Sequence, residues 1–330
     1  MSRIIVHIGF GKTGTTTIQN DILPYLKKKN LIEILDNNKI IQDFTNFILF
    51  DDIPEPLCFH TNKILFISLE SLVGWNPDAW DKCLEFNKIY FPKNAEILIT
   101  FRNQKDYLRS LFIQMLHQGE SDLTPKDFFL TQKNYSRFKN LLGNSILLSS
   151  RHFNIDKFRY LKIEELYTSH FKKCYFVDFK SILNQSFLTL LFPDFNLSKI
   201  KTSNHNKSYS KISVYLDRKR YLFLNSINLS PISSNYKLLF SKTPVYKRLM
   251  KRKKYSSIFS KIFSRLFKFI FFPFYFTKLI VYHWRFFLQK YINFLFPKKF
   301  DFESNLKSKF YKENETFYKN LPKKFIKVDQ

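Results

Sequence analysis

Residues 3–19 read Arg-Ile-Ile-Val-His-Ile-Gly-Phe-Gly-Lys-Thr-Gly-Thr-Thr-Thr-Ile-Gln, and few folds accommodate such a run. Ile4 to Ile8 is a continuous, mainly β-branched stretch bounded by glycine, which predicts a short buried strand. Gly9, Gly11 and Gly14 then permit backbone conformations that a Cβ forbids. From Thr15 onward Ile18, Ile22 and Leu26 recur at helical spacing. A strand, a glycine-rich turn carrying Lys12, and a helix start rich in hydroxyl groups together form a cradle for an anion. Backbone N–H groups and the positive end of the helix dipole both point at such a group. The Walker A pattern is not met, because it requires glycine at position 6, which is Val. The alternative for this stretch is an ordinary strand-to-helix turn.

The loop resembles the 5′-phosphosulfate-binding loop of the sulfotransferases that use 3′-phosphoadenosine 5′-phosphosulfate (PAPS). That family runs Pro-Lys-Thr/Ser-Gly-Thr-Thr/Ser after a first strand. Here the stretch is Gly11-Lys12-Thr13-Gly14-Thr15-Thr16, with Gly in place of Pro and therefore, on this reading, a looser turn. The resemblance implies that these residues hold the phosphosulfate and that Lys12 also acts in catalysis. A second stretch, Glu96 to Arg102 with Ser110 eight residues on, is similar to the family's strand-end Arg and helical Ser that grip the 3′-phosphate. The chemistry agrees, since a guanidinium forks onto phosphate oxygens while a hydroxyl donates from another side. Otherwise Arg102 caps the sheet in a salt bridge and Ser110 is an ordinary helix residue.

Glu70 is the candidate general base, because sulfuryl transfer to a hydroxyl requires that the acceptor proton be removed. Several carbohydrate sulfotransferases carry a catalytic Glu between the two PAPS motifs. Their Glu-Lys-Ser is Glu70-Ser71-Leu72 here, so the lysine is missing. The alternative is a glutamate that satisfies a helix N-terminus. His7, His60 and His117 are alternative bases, with His7 more suited to a core role inside its strand. Ser149, Ser150, Arg151 and His152 are either an acceptor-cleft lining or a polar loop. No metal is called for, because Lys12 supplies the positive charge.

Alternation of strands and helices predicts an α/β fold: a P-loop-like parallel sheet flanked by helices, with C-terminal helical additions. Strands are expected near 4–8, 31–35, 63–68, 96–101 and 175–179. Helices are expected over 39–50, 76–90, 106–116, 155–171, 207–225 and 304–318. Ligands of such sheets bind at the carboxyl ends of strands, where the glycine loop, Glu70 and Arg102 all fall. The division expected is a PAPS-binding core over 1–200 and a basic, aromatic-rich extension over 201–330. Asn206, Ser208, Ser210, Arg218, Arg220, Asn225 and Asn314 weakly resemble downstream positions of bacterial members and carry no assigned role.

The 330 residues carry a net charge of +27 and 40 Phe, ample for a sizeable core. From Arg218 to Phe300 there is no Asp or Glu against 19 Lys and Arg, which points to an anionic partner surface. Within 255–297, Ile258, Phe259, Ile262, Phe263, Leu266, Phe267 and Ile270 form one helical face opposite Lys261, Arg265 and Lys268. The segment is either an element lying on an anionic membrane or a helical insertion in the core. Its charge density argues against a membrane span, and nucleic acid is less favoured because no nucleic-acid motif accompanies the cations. Cys58, Cys83 and Cys174 lack disulfide or zinc spacing. With no leader before the first strand, the expected location is cytoplasmic, including the inner face of the membrane. The function expected is transfer of a sulfuryl group from PAPS to a saccharide or glycan hydroxyl. The alternatives are a nucleotide-dependent kinase and a non-catalytic membrane- or polyanion-binding protein on a degenerate nucleotide fold.

Overall fold

The computed structural model describes residues 3–59, 62–117, 124–142, 152–194, 200–202, 210–226, 284, 286–296, 300 and 309–327. The chain divides into two compact units. One comprises Met1–Leu111, Phe129–Asn206 and Ser304–Gln330, and the other Phe112–Phe128 and Lys207–Glu303.

The first unit is a mixed α/β body around a mostly parallel sheet. Strand β1 (Ile4–His7) leads through the glycine loop into helix α1, which runs from Thr15–Thr17 through a π turn at Ile18–Ile22 to Leu23–Lys28. Asn30 ends it in the left-handed region at φ 60°, donating to the Lys27 carbonyl at 2.9 Å. Strand β2 (Ile32–Ile34) follows, then α2 (Asn37–Phe50), whose N-cap Asp36 accepts from the Asn38 N–H. Next come β3 (Ile64–Ser68), two 3-10 turns at Glu70–Val73 and Pro77–Ala79, and α3 (Trp80–Tyr90). Strand β4 (Glu96–Phe101) feeds α4 (Gln104–His117). After the short β5 (Phe129–Leu130), α5 (Gln132–Leu142) and β6 (Phe153–Asn154) come α6 (Tyr160–Thr168) and β7 (Lys173–Asp178). Two short helices, Phe179–Leu183 and Phe187–Leu191, pack beneath the sheet.

The strand order is β2-β3-β1-β4-β7-β8, parallel throughout except where β8 (Lys323–Ile326) runs antiparallel to β7. The chain leaves β1 toward β2 and leaves β4 toward β7, so β1 and β4 flank the point where the connections reverse. A crevice opens there at the carboxyl ends of the strands. Strands buried on both sides read as unbroken apolar runs, as in Ile-Ile-Val of β1 and Ile-Leu-Ile of β4. One face packs Ile18, Ile22 and Leu26 of α1 against Ile5, Phe66, Leu98 and Val177. The other gathers aromatic rings, with Phe10 against Trp80, Phe101 and Tyr107, and Phe101 against Tyr160 and Phe317. At the amino ends, Glu96 takes Arg3, Lys173 and the Tyr175 hydroxyl. Burial pushes its carboxyl up, but Arg3 and Lys173 outweigh burial and hold it below the usual range.

Two expectations change. The helix expected over 155–171 is a 3-10 turn at Ile155–Lys157, two extended residues, and then α6. Phe158 is fully buried against Tyr107, Phe153 and Tyr160, and extended backbone at Phe158 and Arg159 delivers it there. The backbone groups this break exposes are taken by Asn314, whose Nδ2 donates to the Phe158 carbonyl at 2.9 Å and whose Oδ1 accepts from the Tyr160 N–H at 2.7 Å. The end of the chain also returns to the core. The closing helix expected over 304–318 is observed as Tyr311–Lys319, and with β8 it belongs to the first unit.

In the second unit, Lys211–Ser226 and a helical run through Leu288–Ile292 and Asn293–Leu295 are described. Most of 255–297 and the residues Asn206 and Ser208 lie outside the described residues. Among the described residues no helix is long and apolar enough to cross a membrane.

Candidate functional site

Because β1 is buried to its last residue, the chain must turn sharply over the sheet edge between Gly9 and Gly14. Lys12 takes a left-handed backbone at φ 69°, which non-glycine residues adopt rarely. Gly14 follows at φ 100° and forms the N-cap of α1, a conformation for which glycine is suited. The helix therefore begins at Thr15 with its N–H groups and positive dipole end directed at the loop.

Beneath the loop runs a buried polar chain. The Thr13 hydroxyl donates to the Phe10 carbonyl and lies 2.6 Å from Thr100 Oγ1. Thr100 Oγ1 is 3.3 Å from His7 Nε2, and His7 Nδ1 is 2.8 Å from Ser68 Oγ. Gln19, on the π turn of α1, donates to Ser68 Oγ at 3.3 Å and to its carbonyl at 2.9 Å. The proton order follows from one fixed end. With the Thr13 proton committed to Phe10, Thr100 must donate to Thr13, His7 Nε2–H to Thr100, and Ser68 O–H to His7 Nδ1. Full burial keeps His7 neutral, pushing it down to about 3, and it is the neutral ring that leaves Nδ1 to accept from Ser68. It is fully buried, and its place is to fix the ends of β1, β3 and β4 in one register.

Arg102, at the end of β4, reaches back to the loop. Its Nη1 donates to the Lys12 carbonyl at 3.2 Å and to Ser110 Oγ at 3.3 Å. The guanidinium also lies over the Phe179 ring, 4.9 Å from its centroid. Burial is the main influence on it and lowers its pKa. Among the described residues Arg102 bonds a backbone carbonyl and a hydroxyl and lies over a ring, and does not form the salt-bridge cap of the sheet. Its own carbonyl accepts from the Tyr160 hydroxyl at 2.6 Å. The next two residues are held by the last helix: Asn103 Nδ2 donates to both Glu315 oxygens at 2.8 Å, and Gln104 Oε1 accepts from Asn314 at 2.7 Å.

Glu70 opens the turn after β3, where the Leu69 N–H donates to the His7 carbonyl at 3.0 Å. Burial raises its pKa, while the Thr15 hydroxyl and the Lys12 ammonium act the other way without cancelling the rise. Thr15 Oγ1 is buried and makes no hydrogen bond of ordinary geometry, yet it is close enough to Glu70 to favour the charged carboxylate. Tyr107 faces the same carboxylate, whose charge adds to burial in pushing the phenol up.

The structure thus brings together Gly11, Lys12, Thr13, Gly14, Thr15 and Thr16 of the loop with Glu70, Arg102 and Ser110. His60, Ser149, Ser150 and Arg151 lie outside the described residues, as does the side chain of His117. His152 is buried, and its carbonyl accepts from Asn76 at 2.7 Å. Tyr160, Phe179 and Glu315 support the site without any signal in the linear sequence, and Asn314, noted only as a weak resemblance with no role, supports it too. The Gly11 position has a further reason: a Cβ there would lie 2.3 Å from the Trp75 indole. An indole, and not a looser turn, occupies the space a larger residue at 11 would need.

No protein-family model matches the chain, and no curated protein does. Among solved structures it is similar to a sulfotransferase from Alicyclobacillus acidocaldarius, with a TM-score of 0.39 and 13% identity over 66% of this chain and 90% of that one.

Proposed function

We propose that the protein transfers a sulfuryl group from PAPS to a hydroxyl group, with a saccharide or glycan as acceptor. The observation that carries this reading is the Arg102 side chain, which bonds both the Lys12 carbonyl and Ser110 Oγ. That bond pattern ties a loop suited to one anionic group to an Arg–Ser pair suited to a second. A donor with phosphates on both its 5′ and 3′ positions calls for two such grips.

The residues present fit that donor. The loop and the start of α1 would hold the 5′-phosphosulfate, and Arg102 and Ser110 the 3′-phosphate. PAPS supplies an electrophilic sulfuryl group on a good leaving group. Lys12 and the N–H groups at the start of α1 are preorganised to stabilise negative charge on that leaving group, usually the largest catalytic contribution. Glu70 takes the acceptor proton. Its raised pKa suits the task, since a base closer to neutrality is a better proton acceptor than an ordinary carboxylate.

The test is differential stabilisation. The spent donor, 3′-phosphoadenosine 5′-phosphate (PAP), should raise the melting temperature, whereas ATP with Mg²⁺ at the same concentration should not. A larger shift with ATP and Mg²⁺ would assign the site to a kinase, and no shift with either would end the nucleotide reading.

A further inference from the structure

The second unit presents a helix that is built inside out. Phe286, Phe287, Lys290, Tyr291, Phe294 and Leu295 are exposed, and the exposure recurs every four residues. The π turn at Leu288–Ile292 holds more residues per turn than an α-helix, so a four-residue repeat keeps these side chains on one side. Phe294 is 83% exposed and Leu295 63%, values foreign to side chains of a core insertion. The opposite side faces the protein with Leu288 and the polar Asn293. Asn293 Oδ1 accepts from the Ser210 N–H at 2.8 Å and from the Ser213 hydroxyl at 2.7 Å. The amide thus turns inward to serrated polar contacts while the aromatic rings face outward.

We propose that this face, residues 286–296, docks on an anionic lipid bilayer, lying in the interface without spanning it. Two features select this occupant. The outward side chains are chiefly aromatic, and Lys290 shares their face, 5.3 Å from the Phe286 ring centroid and 5.5 Å from that of Tyr291. An interfacial zone that is apolar below and anionic above accommodates rings and ammonium on one face. The sequence around this helix adds cations without acids, since Arg218 to Phe300 holds no Asp or Glu. Nucleic acid would satisfy the cations but leave Phe294 and Leu295 in water. The inference is independent of the sulfotransferase reading.

Flotation of the full chain with vesicles tests it, comparing phosphatidylcholine alone with phosphatidylcholine containing phosphatidylglycerol. Binding should require the anionic lipid and weaken in high salt without vanishing. The triple variant Phe286→Ser, Phe294→Ser and Leu295→Ser should lower partitioning at least on the order of tenfold. Lys290→Gln should lower it about fivefold at low salt and little at high salt. Both variants should keep the wild-type melting temperature, because the substituted side chains are exposed. Failure to float at any lipid composition would overturn the proposal. So would retention of full vesicle binding by the triple variant. A salt-sensitive complex with single-stranded DNA but not with vesicles would reassign the face to a polyanion. A dimer dispersed by the triple variant, again without vesicle binding, would reassign it to a second copy of the chain.

Discussion

Acidification should destabilise the fold in good part through one histidine, His7. His7 is fully buried, and its neutral form is required at both nitrogens: Nε2–H donates to Thr100 while Nδ1 accepts from Ser68. Protonation would bring a second N–H against Ser68 Oγ, which already receives Gln19. The folded pKa is about 3 against an ordinary value of 6.5. Between those values the unfolded chain binds the extra proton, so stability rises with pH there. The contribution is whole above pH 6.5 and is lost progressively as pH falls toward 3. At 1.36 kcal/mol per unit, the loss is about 2 kcal/mol by pH 5 and about 5 kcal/mol in full. Urea denaturation at pH 7 and pH 5 measures it, with His7→Gln as the reference, since glutamine keeps a polar side chain that does not titrate. Other groups titrate in both proteins and cancel in the comparison. Wild type should lose about 2 kcal/mol more than the variant over this interval. Parallel losses would show that His7 is not held neutral and that the assigned proton order is wrong.

Lys12→Ala should slow sulfuryl transfer by about 100- to 1,000-fold with the melting temperature retained, as expected for one lost donor to developing charge. Near-normal turnover would remove the loop from the mechanism. Arg102→Ala should weaken PAP binding by about 1.5–3 kcal/mol, and Ser110→Ala by less, in calorimetric titration. Equal losses for an analogue without the 3′-phosphate would refute that contact. Glu70→Gln should lower turnover by about 100- to 10,000-fold and leave PAP affinity unchanged. In the parent, activity should rise with pH through a pKa above the ordinary carboxylate value, and this acid limb should disappear in the variant. Asn314→Ala should cost on the order of 2–3 kcal/mol in urea melts, because it strips partners from a buried N–H and a buried carbonyl. A loss below half of that would mean the break before α6 is held by other contacts.

The elements legible in the sequence are those whose causes are local. The run from Arg3 to Gln19 carries its strand, turn and helix in its own residues. β4, Arg102 and Ser110 are likewise placed by one strand and the first turns of one helix. What escaped the sequence depends on partners far along the chain. Apolar residues at helical spacing over 155–171 describe a continuous helix well, but nothing in that segment announces the fully buried Asn314 that stabilises its interruption. β8 is short and rich in lysine, a composition that protects an exposed sheet edge and so conceals a strand. Gly11 shows the same limit within the most legible segment. Read alone, glycine where the family has proline means a looser turn. In the folded chain a Cβ at that position would lie 2.3 Å from Trp75, so the residue is small because an indole lies against it. The glycine loop is therefore shaped by its own glycines and packed against the segment that follows β3. Trp75 follows the 3-10 turn that carries Glu70, so the loop that would hold the donor lies against the segment that supplies the candidate base.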